Sequence, residues 1–360
     1  MNSMETNINT DSDINAKDNL PVSQALGRQS VKFKTPVYLV NSASVVGQKE
    51  SEGPLGELFD VVTKDDKDGF NTWEEAESAL QRDAVTTLLQ KSGVRTENIR
   101  YLFAGDLLGQ SIASTFGLMT FELPHIGLYG ACSTCGLSIS LGSMAIAGGY
   151  AENVICVTSS HFASAEKEFR FPLAYGNQRP LSATWTVTGS GAFLLSNCKS
   201  DGARAVITGI TTGKIVDYGV KDSMNMGACM APAAADIILQ HMKDFHAKPE
   251  DYDKIITGDL GKVGQEILID LLLQKGLNIE KQHTDCGIEI YDDDTQDTHA
   301  GGSGCGCSAV VLSAYILRQI ETGVWKKVLF IPTGALLSKT SFNEGQSVPG
   351  VAHAVILEKI

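Results

Sequence analysis

Two glycine-rich turns carry cysteines in positions that could do chemistry. Cys132 and Cys135 lie in the turn 130–136, Cys305 lies in the turn 301–307, and each turn leads into a stretch without charged residues. A thiol at the start of a helix is close to backbone N–H groups and to the positive end of the helix dipole, which lowers its pKa and favours a nucleophilic thiolate. The same geometry binds a carboxylate without any covalent step. The turns alone leave both hypotheses open.

The elements that position these turns repeat along the chain. A helix, an acidic turn and a strand lead into Gly-Asp-Leu at 105–107, and the same order leads into Gly-Asp-Leu at 258–260. A charge-free stretch follows each of them, at 132–151 and at 301–317. Helices without a polar face are covered on every side. We therefore predict an α/β protein of two duplicated halves in five layers, in the order helix, sheet, helix, sheet, helix.

The composition is that of a folded, acidic protein. The 360 residues carry a net charge of −13, which argues against a nucleic-acid partner, since phosphate binding needs a basic face. No apolar run is long enough to span a membrane, and the polar N-terminus does not resemble a secretory signal, so the eight cysteines are expected to be reduced. We assign 1–30 to a flexible tail, 31–200 to the N-terminal half and 201–360 to the C-terminal half.

Three acidic or cysteine-rich patterns could suggest a metal, and none has the required spacing. The four cysteines of the two turns are separated by too many residues for a zinc finger or ribbon. The loop 64–75 has the length of an EF-hand loop, but Lys64 occupies the position of the first carboxylate. The acidic stretch 292–297 is expected to be a solvated insertion, although calcium that accompanies an anionic ligand could bind there transiently. We predict no metal site and no cofactor.

Short motifs in a fixed order resemble one protein family. The glycine turn with Cys132 and the duplicated halves resemble the thiolase superfamily, in which a nucleophilic cysteine opens the buried helix of the first half. Within it, the order of motifs is similar to that of the stage V sporulation protein AD (SpoVAD) family, from about residue 34 to the C-terminus. The motifs are at 53–60, 104–108, 130–134, 158–161, 186–192, 230–236, 300–304 and 333–338.

This resemblance implies a thiolase-like five-layer αβαβα fold and a function in spores. It implies binding of dipicolinic acid (pyridine-2,6-dicarboxylate), or of its calcium complex, for uptake into the developing spore and release at germination. SpoVA membrane proteins are the implied partners, and the implied location is the forespore or spore, at the periphery of the inner membrane. Folds of this kind are usually homodimers, and the segment 166–181 is a candidate dimer arm.

The bases that a condensing enzyme or thiolase needs are altered in this sequence. Asp259 occupies the position where the resemblance implies a histidine, and 301–303 reads Gly-Gly-Ser where an asparagine or histidine is implied. Asp106, at the equivalent position of the first half, is expected to bond the backbone of its own turn. We therefore predict a binding site without catalytic residues. Its ligand-binding residues are Cys132, Ser133, Thr134, His161, Arg179, Asp259, Gly302 and Ser303.

A basic segment between the halves supplies further candidates for a flat dianion. A cationic side chain can pair with each carboxylate of such a ligand, and an aromatic side chain can stack on its pyridine ring. The same segment could equally be a solvated loop or a dimer arm. The cationic candidates besides His161 and Arg179 are Lys167 and Arg170, and the aromatic candidates are Phe171, Tyr175 and Trp185.

Two other functions compete with this interpretation. The first is a cysteine-dependent acyltransferase or thioesterase of the thiolase superfamily, in which Cys132 would use His161 or His299 as its base. The second is a structural role that docks SpoVA partners and binds no small ligand. Acylation of Cys132 by an acyl-CoA would distinguish the first function from ligand binding.

Overall fold

A computed structural model of the chain describes residues 23–169 and 178–360. The strands of these residues are β1 (Ala25–Leu26), β2 (Ser30–Val46), β3 (Val61–Val62), β4 (Tyr101–Gly105), β5 (His125–Gly127), β6 (Asn153–Ser160), β7 (Trp185–Thr186), β8 (Gly189–Ser196), β9 (Ala205–Thr212), β10 (Lys254–Thr257), β11 (His283–Asp285), β12 (Gly302–Ser303), β13 (Lys327–Ile331), β14 (Thr333–Ala335) and β15 (Gly350–Glu358).

The helices are α1 (Gln48–Ser51), α2 (Trp73–Ser92), α3 (Ile112–Leu118), α4 (Thr134–Ala147), α5 (Phe162–Phe169), α6 (Met226–Phe245), α7 (Gly261–Leu273), α8 (Cys286–Glu289), α9 (Asp293–Gln296), α10 (Cys305–Val311), α11 (Leu317–Glu321) and α12 (Lys339–Asn343). A π-helical turn, Leu312–Ile316, joins α10 to α11.

The duplication predicted from the sequence is confirmed by the strand order. The first half runs β5-β4-β6-β8-β2, and the second half runs β11-β10-β13-β15-β9. In each half the first three strands are parallel and the last two pair antiparallel to their neighbours. The halves meet where β2 and β9 pair. Residues 197–204 lie between β8 and β9, close to the predicted division of the chain at residue 200.

The predicted five layers are also confirmed. Helices α2 and α3 cover the outer face of the first sheet, and α6 and α7 cover that of the second. Helix α4 packs between the sheets, because it contacts β4 and β6 of the first half as well as β15 of the second. Helix α10 lies beside it against β6 and β8. Both charge-free stretches therefore form the middle layer, as a lack of polar faces requires.

Glycines allow α4 to approach both sheets closely. A Cβ on Gly136 would lie 2.9 Å from the backbone oxygen of His353, and a Cβ on Gly142 would lie 2.8 Å from the Sγ of Cys156. Any larger side chain would push one of the sheets away. The small residues of this helix thus set the distance between the halves, and with it the position of Cys132 just before the helix.

Helix α2 begins with a reciprocal capping box. Thr72 accepts a hydrogen bond from the N–H of Glu75, and the Glu75 carboxylate accepts one from the N–H of Thr72. This reciprocal pair satisfies backbone donors that the first turn leaves free. The helix ends at Gly93, whose positive φ of 66° suits a glycine.

The predicted flexible tail is too long. Of residues 1–30, the first 22 lie outside the described residues, but β1 pairs with the start of β2 and forms a hairpin. Asp244 accepts the backbone N–H groups of Arg28 and Gln29 and the hydroxyl of Ser30. Hydrogen bonds to a carboxylate in the other half order this segment, and a composition poor in apolar residues gives no sign of them.

Among the described residues, the structure contains no helix of the length and apolarity that a membrane span requires.

Candidate functional site

Cys132 lies in a tight turn that its neighbours hold in place. Ala131 has a positive φ of 50°, and α4 begins two residues after Cys132. The hydroxyl of Ser133 donates to the carbonyl of Gly130 at 2.6 Å. The hydroxyl of Thr134 donates to the carbonyl of Ala131 at 2.6 Å and accepts from the N–H of Gly130 at 3.0 Å. Both hydroxyls therefore form hydrogen bonds within the turn. Contacts of Ser133 and Thr134 with a ligand remain predictions.

Asp259 is a buried acceptor at the end of the second-half strand β10. Its Oδ2 accepts the hydroxyl of Ser303 at 2.9 Å and the N–H of Gly304 at 3.0 Å, and its Oδ1 accepts the hydroxyl of Thr333 at 2.7 Å. Burial raises the pKa of Asp259, and these hydrogen bonds act against that rise. The carboxyl is thus held in one orientation by two different segments of the chain.

The thiol of Cys132 faces this acceptor. Its Sγ lies 4.0 Å from the Oγ of Ser303. Burial raises the pKa of Cys132 well above its ordinary value, and the charge of Asp259 raises it further. Of the two hypotheses that the turn leaves open, this shift disfavours the thiolate, because desolvation and a neighbouring carboxylate oppose the helix dipole. We call Cys132, Asp259, Ser303, Gly304 and Thr333 the central cluster.

An apolar wall borders the central cluster. Leu107, Ala165 and Cys305 pack with Cys132, and Leu336 is a partly buried neighbour. Tyr129 is half-exposed on the same side, and burial raises its pKa to about 12, with Cys132 as the next cause. These residues come from both halves, which places Cys132 at the junction that the duplication predicts.

His161 is directed away from the central cluster. Its Nε2 contacts the carbonyl of Asp66 at 2.7 Å, and its Nδ1 accepts the N–H of Ala163 at 3.2 Å. These contacts assign a neutral ring with the proton on Nε2, and burial lowers the pKa of His161 in agreement with that assignment. The ring has no hydrogen bond with Cys132 in the described part of the chain.

Arg179 and His299 lie near one another at a different place. A guanidinium nitrogen of Arg179 donates to the carbonyl of Asp297 at 2.7 Å, and its carbon lies 4.8 Å from the ring centre of Trp185. Nδ1 of His299 contacts the carbonyl of Pro180 at 2.9 Å, and its Nε2 lies 3.0 Å from the Asp297 carboxylate. Neither base candidate of the enzyme hypothesis therefore hydrogen-bonds to the thiol in this structure.

Arg179 and His161 belong to a second group, the Trp185 cluster, which consists of Lys49, His161, Phe162, Arg179 and Trp185. Phe162 stacks on Trp185 with ring centres 3.9 Å apart, and Nζ of Lys49 lies 4.5 Å from the Trp185 ring centre. A cavity of about 210 Å³ is lined by four of these five residues and by the segment 47–50. The structure thus divides the predicted site residues into two groups.

Gly302 connects the groups. Strands β7 and β12 pair in parallel, with Gly302 opposite Trp185 and Ser303 opposite Thr186. A Cβ on Gly302 would lie 2.8 Å from a side-chain carbon of Ile290, so this position requires a glycine. Gly302 acts through its backbone, and Ser303 in the next position enters the central cluster.

Asp106 confirms the structural role predicted for it. Its carboxylate accepts the N–H of Leu108 at 2.9 Å and both the N–H and the hydroxyl of Ser114. The equivalent residue of the second half, Asp259, accepts hydrogen bonds from Ser303 and Thr333, which belong to other segments of the chain. The duplicated positions therefore serve different purposes.

Sequence reasoning missed Thr333 and Lys49. Thr333 follows β13 in a motif used above for the family resemblance, so its position at a strand end was a usable signal. Lys49 has no such signal, because it reaches its site from a four-residue helix. Of the other candidates, Lys167 pairs with Glu74, while Arg170, Phe171 and Tyr175 lie outside the described residues.

The cysteines are free thiols in the structure, and seven of the eight are buried. In the described ranges 23–169 and 178–360, no three His, Cys, Asp or Glu side chains are grouped as a metal site would need.

Comparison with known proteins identifies the family. The family model of stage V sporulation protein AD (SpoVAD) matches residues 27–358. The chain is 42% identical to stage V sporulation protein AD of Bacillus subtilis (strain 168) over 333 residues, which is 92% of this chain and 97% of that protein. The chain belongs to the SpoVAD family. This finding confirms the resemblance on which the site was predicted, and it assigns the chain to sporulation proteins.

Solved structures confirm the thiolase-like fold of this SpoVAD family member. Human mitochondrial 3-ketoacyl-CoA thiolase in complex with CoA is similar with a TM-score of 0.56 and 14% identity, covering 91% of this chain and 99% of that one. The 3-oxoacyl-[acyl-carrier-protein] synthase III of Aquifex aeolicus VF5 is similar with a TM-score of 0.53 and 12% identity, covering 89% and 99%. At these identities the likeness concerns the fold and not the activity.

Proposed function

We propose that this SpoVAD family member binds dipicolinic acid, or its calcium complex, without catalysing a reaction. The central cluster, at the junction of the two halves, is the proposed site. The binding serves uptake of the compound into the developing spore and its release at germination, together with SpoVA membrane proteins at the inner membrane. The observation that carries the proposal is a family match over nearly the whole chain, combined with a Cys132 site that has no imidazole base.

The chemistry of the central cluster favours binding over acyl transfer. A cysteine nucleophile needs a thiolate or an adjacent base. The pKa of Cys132 is raised by burial and by Asp259, and the cluster contains no imidazole. The hydroxyls of Ser303 and Thr333 and the N–H of Gly304 donate to Asp259 in this structure, and a bound acid would take over these donors from it.

The charge of the ligand must suit Asp259. A free dianion next to a buried carboxylate would be repelled, since two like charges interact strongly where water is excluded. Calcium bound by the ligand would neutralise that repulsion, and protonation of Asp259 would remove it. The proposed ligand at this position is therefore the calcium complex, or the free acid bound with a proton on Asp259.

The second candidate function is a cysteine-dependent acyltransferase or thioesterase. The observation that favours it is Cys132 itself, in a turn before the buried helix of a fold that the chain shares with a thiolase and a synthase. It requires a base that moves to the thiol from another position, such as His161 or His299. Covalent acylation of Cys132 with release of CoA would establish this function and exclude a pure binding role.

The test is calorimetric titration of the full chain with dipicolinate, with and without calcium. We expect saturable binding that Cys132→Trp abolishes by placing an indole ring beside Asp259. Cys198→Trp, at an exposed cysteine, is the matched control and should bind like the natural chain. Absence of binding under both conditions would leave the acyl-transfer and docking roles, and loss of binding in both variants would indicate misfolding.

We also propose that the protein is a homodimer. Among the strands of residues 23–169 and 178–360, β5 ends the sheet order and pairs with β4 alone, and its three residues are exposed. An open strand edge of this kind favours pairing with another chain. Sedimentation of the full chain would show a monomer if this proposal is wrong.

A further inference from the structure

We propose that the cavity beside Trp185 is a second binding site, which takes a small aromatic carboxylate. It lies between the loop 63–70, the start of α5 and β7, and its volume is about 210 Å³. Pockets for drug-sized ligands measure roughly 300–1,000 Å³. The cavity is therefore of a size for an acid with a single ring.

Lys49 supplies the positive charge of this site. It lines the cavity, and its Nζ donates to the backbone carbonyl of Gln296 at 2.5 Å. Lys49 forms no ion pair with a carboxylate of the described residues. Burial lowers the pKa of Lys49, which shows that the protein itself compensates this charge poorly. A ligand carboxylate would compensate it with a charge-assisted hydrogen bond.

Trp185 supplies an aromatic wall and a donor. One partner of its ring is Phe162, stacked at an interplanar angle of 14°. In the described part of the chain its indole N–H has no hydrogen-bond acceptor, unlike that of Trp73, which donates to Asp66 at 2.8 Å. An indole N–H is only a donor, so a carboxylate oxygen is a suitable partner. The guanidinium of Arg179 lies near the same ring and is paired with the Asp297 carboxylate at 3.2 Å.

The remaining walls do not compete for Lys49 as strong anions. Burial raises the pKa of Glu50, which favours its neutral form, and its Oε1 already accepts hydrogen bonds from Tyr291 and Thr188. The carboxylate of Asp66 accepts the Trp73 indole N–H, and that of Asp65 accepts N–H groups of its own loop. Both aspartates are exposed, so water screens their repulsion of an anion.

Backbone hydrogen bonds link the strand of Trp185, which lines the cavity, to the strand of Ser303 in the central cluster. The N–H of Trp185 donates to the carbonyl of Gly301 at 2.8 Å, and that of Val187 donates to the carbonyl of Ser303 at 2.8 Å. An acid bound beside Trp185 would hold the strand that carries Ser303. The inference rests on the proposed function, because both sites take an aromatic acid. The ligand would bind in this cavity first, before it reaches the central cluster.

The experiment uses benzoate and dipicolinate as probes on the full chain. The substitutions Trp73→Phe and Trp325→Phe remove two of the three tryptophans, so that the remaining tryptophan fluorescence comes from Trp185. We expect both acids to quench its fluorescence saturably. Lys49→Met should weaken both by about tenfold or more, the effect of losing a charged hydrogen bond, and Lys49→Arg should restore part of it.

Lys64→Met is the matched control. It removes the same charge from the exposed surface near the cavity and should leave the quenching unchanged. Quenching that Lys49→Met leaves intact in a folded variant, as judged by its circular dichroism, would overturn the inference, and so would absence of quenching by both acids. Benzoate quenching that depends on Lys49 would support it even if calorimetry shows that dipicolinate does not bind. Dipicolinate binding that Cys132→Trp abolishes and Lys49→Met does not would overturn it and leave the proposed function standing.

Discussion

Ser303 joins Cys132 to Asp259. Its hydroxyl donates to Asp259 at 2.9 Å and lies 4.0 Å from the Sγ of Cys132. A hydroxyl and a carboxylate thus occupy the surroundings where acyl chemistry would need an imidazole. Neither is a base of suitable strength for a thiol whose pKa burial has raised. The raised pKa favours the protonated thiol of Cys132.

Removing the charge of Asp259 should make Cys132 more reactive. In Asp259→Asn the carboxylate that disfavours the thiolate is gone, and the pKa of Cys132 should fall although burial still keeps it raised. The measurement is the rate of alkylation of Cys132 by iodoacetamide against pH, followed by peptide mapping. Asp270→Asn, at an exposed position of α7, is the control. An unchanged rate in Asp259→Asn would mean that the carboxylate does not govern the thiol.

The same substitution should alter the calcium requirement of dipicolinate binding. With asparagine at position 259 the free dianion meets no like charge, so its affinity without calcium should rise by about tenfold or more, an amount consistent with a partly screened charge pair. Calorimetry with and without calcium measures the ratio. If the ratio of the two affinities is the same in the natural chain and the variant, calcium acts at another place.

Glu77 should make stability fall as pH rises. Burial, followed by the charge of Asp106, raises the pKa of Glu77 to about 8, far above its ordinary value. The folded state therefore holds a proton that the unfolded state releases from about pH 4.5, and stability is lost as pH rises from there to about 8, at up to about 1.4 kcal/mol per pH unit. Denaturant unfolding between pH 6 and pH 8 measures this slope.

In Glu77→Gln the slope should flatten, because the side chain no longer titrates. Its amide oxygen can accept one of the two hydroxyls of Ser159 and Ser164, and its NH2 group can donate to the other. A residual slope is expected from Asp285, whose pKa burial raises to about 7. Glu97→Gln, at an exposed position, is the control and should keep the natural slope. Equal slopes in all three proteins would show that Glu77 is ionised in the folded chain.

The sequence predicted the framework of the site better than its side-chain directions. Cys132 follows β5 of the first half and Asp259 follows β10 of the second, and the packing of the duplicated halves brings the two residues to one junction. His161 also follows a strand that ends near Cys132, and grouping it with the site was reasonable. Its ring turns instead to the carbonyl of Asp66, a contact between segments far apart in the chain. No local pattern encodes such a contact, and the same holds for Lys49.

The pKa of Cys132 shows a second limit of prediction from the sequence. The position before a buried helix is readable from the sequence, and it predicts a lowered pKa. The depth of burial and the approach of Asp259 depend on the packing of both halves, and these two effects determine the direction of the shift. A dipole contributes less than about 2 kcal/mol, which full desolvation of a thiolate exceeds.

Gly334 should be essential for the shape of the central cluster. A Cβ at this position would lie 2.4 Å from the carbonyl of Gly130 and 2.9 Å from the N–H nitrogen of Ser133. Gly334→Ala should therefore push the Thr333 loop away from the Cys132 turn and cost about 1–3 kcal/mol of unfolding free energy. Gly109→Ala meets no atom within 4 Å and serves as the control. Equal stability of the two variants would show that the loops can separate without cost.

Asp244 should hold the N-terminal hairpin against the second half. It accepts the N–H groups of Arg28 and Gln29 at 3.1 and 3.0 Å and the hydroxyl of Ser30 at 2.9 Å, and these bonds keep its pKa below the usual range although burial opposes this. In Asp244→Ala the hairpin loses its anchor, so trypsin should cleave after Arg28 faster than in the natural chain. Asp236→Ala, on the same helix α6, removes a carboxylate that bonds only a lysine and should leave the cleavage rate unchanged. If Asp244→Ala is cleaved at the natural rate, the pairing of β1 with β2 suffices to order the segment, and the carboxylate adds nothing to it.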